Sequence, residues 1–140
     1  MANTIRVEIV SAEEEIWSGE GSMVFAPSEM GEVGIAPNHT PLLARLKPGD
    51  VRVQQEDGEQ LLFYISGGLL EVQPHVVTVL SDTAIRARDL DEQAAEEARK
   101  RAEEKLRDRR SSMELAKAKA ELIQAVAQLR AIQKLRKMRR

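Results

Sequence analysis

The groups in this sequence that could do chemistry are few and scattered. His39 and His75 are the only imidazoles, they stand on separate turns, and there is no cysteine. Neither histidine has a second ligand at the spacing with which one helix face holds a metal. The absence of thiols excludes disulfides, thiol nucleophiles and cysteine-ligated zinc, and it fits a reducing compartment. Gly67-Gly68 lacks the flanking residues of a phosphate-cradling loop, and Glu13-Glu14-Glu15 reads as a solvated turn. Catalysis needs an activated group held by an orienting partner. No such set can be assembled, so no catalytic residue, metal or cofactor is expected. The residues describe a non-enzymatic interaction protein.

What remains is charge. Arg130, Lys134, Arg136, Lys137, Arg139 and Arg140 crowd the C-terminal end. They cannot share one helical face, so they surround the tip with positive potential that salt would screen. The formal net charge of the whole chain is only -2. That value hides a split. Residues 1–85 carry 4 basic and 13 acidic side chains, whereas residues 86–140 carry 17 basic and 10 acidic ones. Two units with different surfaces, and different partners, follow from such an asymmetry. A basic helical unit could bind nucleic acid through its phosphates. Against that alternative, the unit has no aromatics and its cations are interrupted by acids.

The elements that must carry these groups divide at the same place. All 8 glycines and all 5 prolines precede residue 75. Ile5-Arg6-Val7-Glu8-Ile9 alternates with period two, the mark of a half-buried strand, and residues 15–19, 22–27 and 51–54 continue the pattern. Asp57-Gly58 suits a tight hairpin into Leu61-Leu62-Phe63-Tyr64-Ile65, a run apolar on both faces and expected at the centre of a sheet. Residues 69–72 and 76–80 pair across Gln73-Pro74-His75. Short strands at this spacing predict an antiparallel β-sandwich over residues 1–85.

Beyond it the period becomes 3.6. Asp89 with Glu92, and Ser111 with Glu114, have capping-box spacing and predict two helices of about 30 and 40 Å. Glu96/Lys100, Glu97/Arg101 and Glu103/Arg107 are candidate i,i+4 pairs, and Arg109-Arg110 suits the end of the first helix. Ala94, Ala98, Ala102 and Leu106 form one stripe, and Leu115, Ala118, Leu122, Val126, Leu129, Ile132 and Leu135 form another. The fold class is therefore α+β, an N-terminal sandwich followed by a C-terminal two-helix antiparallel hairpin over residues 86–140. A hairpin so thin must dock on something larger. The polar segment Ser81 to Arg88 is expected to be its hinge. No apolar run approaches the roughly 20 residues that span a bilayer. The start lacks a secretory pattern, so membrane contact would go through a partner.

The run Gly31-Glu32-Val33-Gly34-Ile35-Ala36-Pro37-Asn38-His39-Thr40-Pro41-Leu42-Leu43, with Leu46-Lys47-Pro48-Gly49, closely resembles a signature of the epsilon subunits of bacterial F-type ATP synthases. Ser66-Gly67-Gly68-Leu69-Leu70-Glu71-Val72-Gln73-Pro74 and Val77 to Ala84 resemble a second one. Asp89-Leu90-Asp91-Glu92 and Ala125-Val126-Ala127-Gln128-Leu129-Arg130 fit the family's hairpin, so the resemblance covers essentially the whole chain.

The resemblance implies a central-stalk rotor subunit that helps couple proton flow to ATP synthesis. It also implies inhibition of ATP hydrolysis when the hairpin extends into the catalytic head. The implied partners are the gamma subunit, the membrane rotor ring of c subunits, and the catalytic alpha and beta subunits. The implied location is peripheral, on the cytoplasmic face of the bacterial inner membrane. On residues alone, His39 is a turn residue and Glu32 a solvated turn acid. The resemblance puts His39 at the gamma contact, Glu32 at the rotor ring, and Arg130, Lys134, Arg136 and Lys137 at inhibitory contacts with beta. One departure stands out. Members that bind ATP carry arginines where this chain has Ala94, Gln124 and Gln128. Charged hydrogen bonds are the strong ones for a triphosphate, so no nucleotide site is expected.

Overall fold

A computed structural model describes residues 3–108 and 112–138. Arg109, Arg110, Ser111, Arg139 and Arg140, which the sequence reading used for a helix end, a cap and the basic tip, lie outside the described residues. Ten strands come first: β1 (Ile5–Ser11), β2 (Glu15–Gly21), β3 (Met23–Ser28), β4 (Gly31–Ile35), β5 (Leu42–Leu46), β6 (Gly49–Gln54), β7 (Gln60–Ile65), β8 (Gly68–Gln73), β9 (Val76–Ser81) and β10 (Ala84–Arg86). A single 3-10 turn (Ala87–Asp89) leads into α1 (Glu92–Arg107) and α2 (Ser112–Met138).

The strands run in the order β10-β7-β6-β3-β5-β8-β9-β1-β2, with β4 on β3. The one hydrogen-bonded surface folds over at β3, which pairs with β6 through Met23–Phe25 residues and with β5 only at Ser28 and Leu46. Its two halves close on an aliphatic core that includes Val7, Ile9, Val24, Val53, Leu70 and Val79, all without solvent contact. Trp17 packs on Phe63 at 5.8 Å between ring centroids. The pairing is antiparallel with one exception: β1 lies parallel to β9, with Val7 opposite Val77. Period-two alternation fixes which side chains point inward but not the direction of the neighbouring strand, so neither strand's residues announce this pair.

β7 departs from its expected place. It lies next to the end of the strand order, flanked by β6 and β10, not at the centre. Phe63 and Ile65 face the sandwich core, while Leu62 and Tyr64 are buried on the opposite side beneath α2. Its second apolar face is a seat for the hairpin. The supposed polar hinge also differs: Ala84–Arg86 pairs with β7, and Ala87 is buried in the same seat. The small Ala84 and Ala87 are buried, and Arg86, opposite Phe63, lays its guanidinium toward that ring.

The helix cap is shifted too. Asp91, not Asp89, caps α1, accepting a hydrogen bond from the Ala94 amide at 3.1 Å. Leu90 reaches into the seat, and the 3-10 turn occupies residues 87–89, so the helix starts two residues later than expected and spans about 24 Å rather than 30. Its surface pairs are those of Arg99 with Glu96 and with Glu103. The Arg99 guanidinium holds the Glu96 carboxyl below the usual carboxylate range.

Two predictions follow from the packing. Gly68 has a φ of +137°, and a Cβ there would lie 1.9 Å from the Leu80 carbonyl oxygen. Gly68→Ala is expected to destabilise the sandwich by at least about 3 kcal/mol, read as the shift of a chemical-denaturation midpoint. A fragment of residues 1–90 is expected to melt cooperatively. One ending at residue 85 loses the end of β10 and the buried Ala87, and its melting temperature should fall by about 5 °C or more.

Candidate regulatory interface

The hairpin meets the sandwich at a small apolar seat. Leu62, Tyr64 and Ala87 on one side meet Ala127 and Ala131 on the other, with Leu90 and Leu135 at the margin. Burial pushes the Tyr64 hydroxyl above its ordinary pKa, and Gln128 serves as its hydrogen-bond partner. The phenol therefore stays neutral beneath the helix.

α2 is apolar on two sides. Ala118, Ala125 and Ile132 recur every seven residues and are buried, as are Ala95 and Ala102 of α1. Lys105–Glu121 and Arg136–Glu92 pairs flank this face, which identifies it as the seam with α1. Ala127, Ala131 and Leu135 recur every four residues, more than a quarter turn away, and face the sandwich. The expected stripes are thus partly redrawn. Ala95 is buried in place of exposed Ala94, and Leu135 belongs to the sandwich seat.

Ion pairs sit around the seat. Lys134 Nζ donates to Asp50 Oδ1 at 2.7 Å, across 84 residues of sequence. The Asp50 side chain is only 13% exposed, and its Oδ2 is buried with no partner. Arg136 holds both carboxylate oxygens of Glu92, tying the end of α2 to the start of α1. Arg130 and Lys137 are exposed and carry no ion pair among the described residues. Of the four cations singled out from sequence, two are therefore engaged within the chain.

Glu32 is exposed on β4 and accepts a hydrogen bond from Arg52 Nη2 at 2.9 Å; the same guanidinium lies 4.6 Å over the Phe25 ring. Glu32 shares one groove of about 470 Å³ with Lys47, Asp50, Val126, Arg130 and Lys134. His39 lies apart, half-buried in the loop between β4 and β5, after Asn38 in the left-handed region at φ 64°. Its Nδ1 is 2.6 Å from the Thr40 carbonyl. A carbonyl only accepts, so Nδ1 donates in this hydrogen bond.

Sequence reasoning missed two things. Asp50 left no signal, because nothing local links it to Lys134. The outer face of β5, β8 and β9 carries exposed Leu43, Leu69 and Leu80, and the registers Arg45–Leu69 and Leu69–Leu80 put them on one side. The doublets Leu42-Leu43 and Leu69-Leu70 were the available sign, since a strand with one wet face needs one apolar residue in two. At the positions compared with ATP-binding relatives, Ala94 is an exposed first-turn residue and Gln128 is occupied by Tyr64. Gln124 lies in a groove with Arg101 and Lys105. Among the described residues no group of three or more side chains could hold a metal ion.

Comparison with known proteins fits this architecture. The family described as "ATP synthase, Delta/Epsilon chain, beta-sandwich domain" matches residues 4–87, and "ATP synthase, Delta/Epsilon chain, long alpha-helix domain" matches residues 88–133. The ATP synthase epsilon chain of Nitrosococcus oceani is 64% identical over 137 residues, covering 98% of each chain. That of Thioalkalivibrio sulfidiphilus is 62% identical over 138 residues, again 98% of each. A chain in the Euglena gracilis mitochondrial ATP synthase, solved as OSCP/F1/c-ring, has the same fold, with a TM-score of 0.84 at 20% identity over 94% of this chain and 83% of that one. A sandwich and a two-helix hairpin in this order, matched from end to end at such identity, mean that the chain belongs to the ATP synthase epsilon chain family.

Proposed function

We propose that the chain is a central-stalk rotor subunit of an F-type ATP synthase: it helps couple proton flow to ATP synthesis and restrains ATP hydrolysis through its hairpin. It makes no bond itself. The observation that carries the regulatory half is the shallowness of the hairpin's seat. Helices of 16 and 27 residues rest on the sandwich through five buried side chains and two marginal ones. Burying a large aliphatic side chain contributes about 1.5–3 kcal/mol, and three of the five here are alanines. A partner surface of similar size could therefore exchange for the seat.

Division of labour follows the charge split, with residues 1–85 as the binding domain and 86–140 as the mobile one. The acidic sandwich binds gamma through the His39 loop and the adjoining leucine face, and it meets the c-subunit ring at Glu32. The exposed leucines support the first contact, because large apolar side chains grouped on one exposed sheet face mark an interface. The extended hairpin meets the alpha and beta subunits through Arg130, Lys134, Arg136 and Lys137. No described helix is long and apolar enough to cross a membrane, so attachment to the cytoplasmic face of the inner membrane runs through the ring.

Truncation after Leu90 should raise ATP hydrolysis by the assembled complex and leave synthesis largely intact; loss of synthesis would make the hairpin structural instead. Exposed pairs contribute about 0–1 kcal/mol each. Arg130→Ala or Lys137→Ala alone should therefore relieve inhibition by no more than about fivefold, and neutralising all four cations should relieve most of it. Raising the salt should reproduce part of the fourfold variant, since exposed pairs are screened and apolar contacts are not. Calorimetry with millimolar ATP on the isolated chain should show weak binding or none.

A further inference from the structure

We propose that Asp50 is a docked-state counter-ion that competes with a partner's acids for Lys134, so that capture of Lys134 by a partner itself drives the hairpin off the sandwich. The inference rests on the regulatory reading above and adds how release is triggered. It begins with Asp50's surroundings. One carboxylate oxygen accepts from Lys134 at 2.7 Å, and the other is buried without a hydrogen-bond partner. Docking thus strips water from a full negative charge and returns a single ionic hydrogen bond.

Such a half-satisfied carboxylate is expensive to leave buried and cheap to leave in water. Lys47 and Arg130 line the same groove, but neither pairs with Asp50 in the docked chain. Arg52, two residues along β6 on the same face, pairs with Glu32 through Nη2 and lies over the Phe25 ring, and its buried Nε has no hydrogen-bond partner. Arg136, the other tied cation of the tip, is held by Glu92 on the hairpin itself and moves with it. Lys134 is therefore the one ionic link found between α2 and the sandwich among the described residues.

The consequence is an asymmetry. An acid that takes Lys134 away leaves Asp50 dehydrated and unpaired in the docked state, and undocking restores its water. Removing Asp50 instead removes the dehydrated charge, while Lys134, whose side chain is 47% exposed, keeps its ammonium in water. The two halves of one ion pair should then act in opposite directions on docking. An ordinary stabilising pair would act in the same direction from either side.

The test uses the full chain, whose lack of cysteine allows Glu56→Cys and Gln133→Cys spin labels on the sandwich turn and on α2. Pulsed distance measurements give the ratio of undocked to docked chains. A Leu135→Ala background weakens the apolar seat so that shifts in both directions can be read. Hydrogen exchange of the α2 amides reads the same ratio where the open form is rare. Lys134→Met should raise the ratio at least about tenfold. Asp50→Leu should lower it or leave it unchanged. The double variant should return to the parent value or below, and Lys119→Met should change nothing. If Asp50→Leu and Lys134→Met both loosen the hairpin, or neither moves it, the proposal is overturned. Because the readout is a distance in the isolated chain, it stands or falls separately from ATPase inhibition. Circular dichroism of each variant confirms that the sandwich remains folded.

Discussion

The fold of this chain turns on one strand that is apolar on both faces. β7 turns Phe63 and Ile65 into the sandwich and leaves Leu62 and Tyr64 pointing out. Near the end of a sheet, an uncovered face of that kind invites unwanted association. The hairpin resolves the problem by lying across it. The cover is thin, however. The helix presents Ala127 and Ala131 where a permanent core would present leucines. Alanine lets the helix come close to the strand and gives little apolar area in return. The seat keeps β7 dry without fixing the hairpin to it.

The same economy shapes α2. A helix that must face both α1 and the sandwich needs two apolar stripes, and the spacing of seven through Ala118, Ala125 and Ile132 lies beside the spacing of four through Ala127, Ala131 and Leu135. The polar remainder is narrow and carries its charge near the tip. Once the hairpin leaves, the α1 seam can persist, because its ion pairs to Glu92 and Glu121 join one helix to the other. Only the second stripe loses its cover. On the proposed reading the hairpin would then move as one body.

Much of this was legible in the residues, for reasons that can be named. Alternation and turn chemistry are local, so the Asp57-Gly58 hairpin and the Gln73–Val76 turn appear where the sequence puts them, with Gly58 at φ 87°. The change of period after the last proline marked the hairpin. What escaped was non-local. The parallel β1–β9 pair joins strands from opposite ends of the sandwich, and nothing in either strand declares its partner. Leu61 to Ile65 announced a second apolar face but not whether a strand or a helix would cover it. The cap moved from Asp89 to Asp91 because tertiary burial of Ala87 and Leu90 outweighed a capping-box spacing worth about 1 kcal/mol. His39 and Glu32 stand out through resemblance; their geometry alone, a loop hydrogen bond and a surface ion pair, is that of ordinary turn residues.

Charge at the tip has to be reconciled with a docked hairpin. Six cations near one helix end repel one another, and a free tip of that kind would find the acidic sandwich attractive almost anywhere. Nonspecific attraction would hold the hairpin down in many poses and make its release depend on salt more than on any partner. Two features limit this. Arg136 is neutralised within the hairpin by Glu92, which removes one cation from the competition. Lys134 meets a carboxylate that is nearly buried, so the attraction is confined to one register and is offset by the dehydration of Asp50. Position is then set by the apolar seat, and the ion pair adds specificity with little net hold. An arrangement of that kind lets a small difference in partner charge shift the balance, which a stronger and less selective attraction would have prevented.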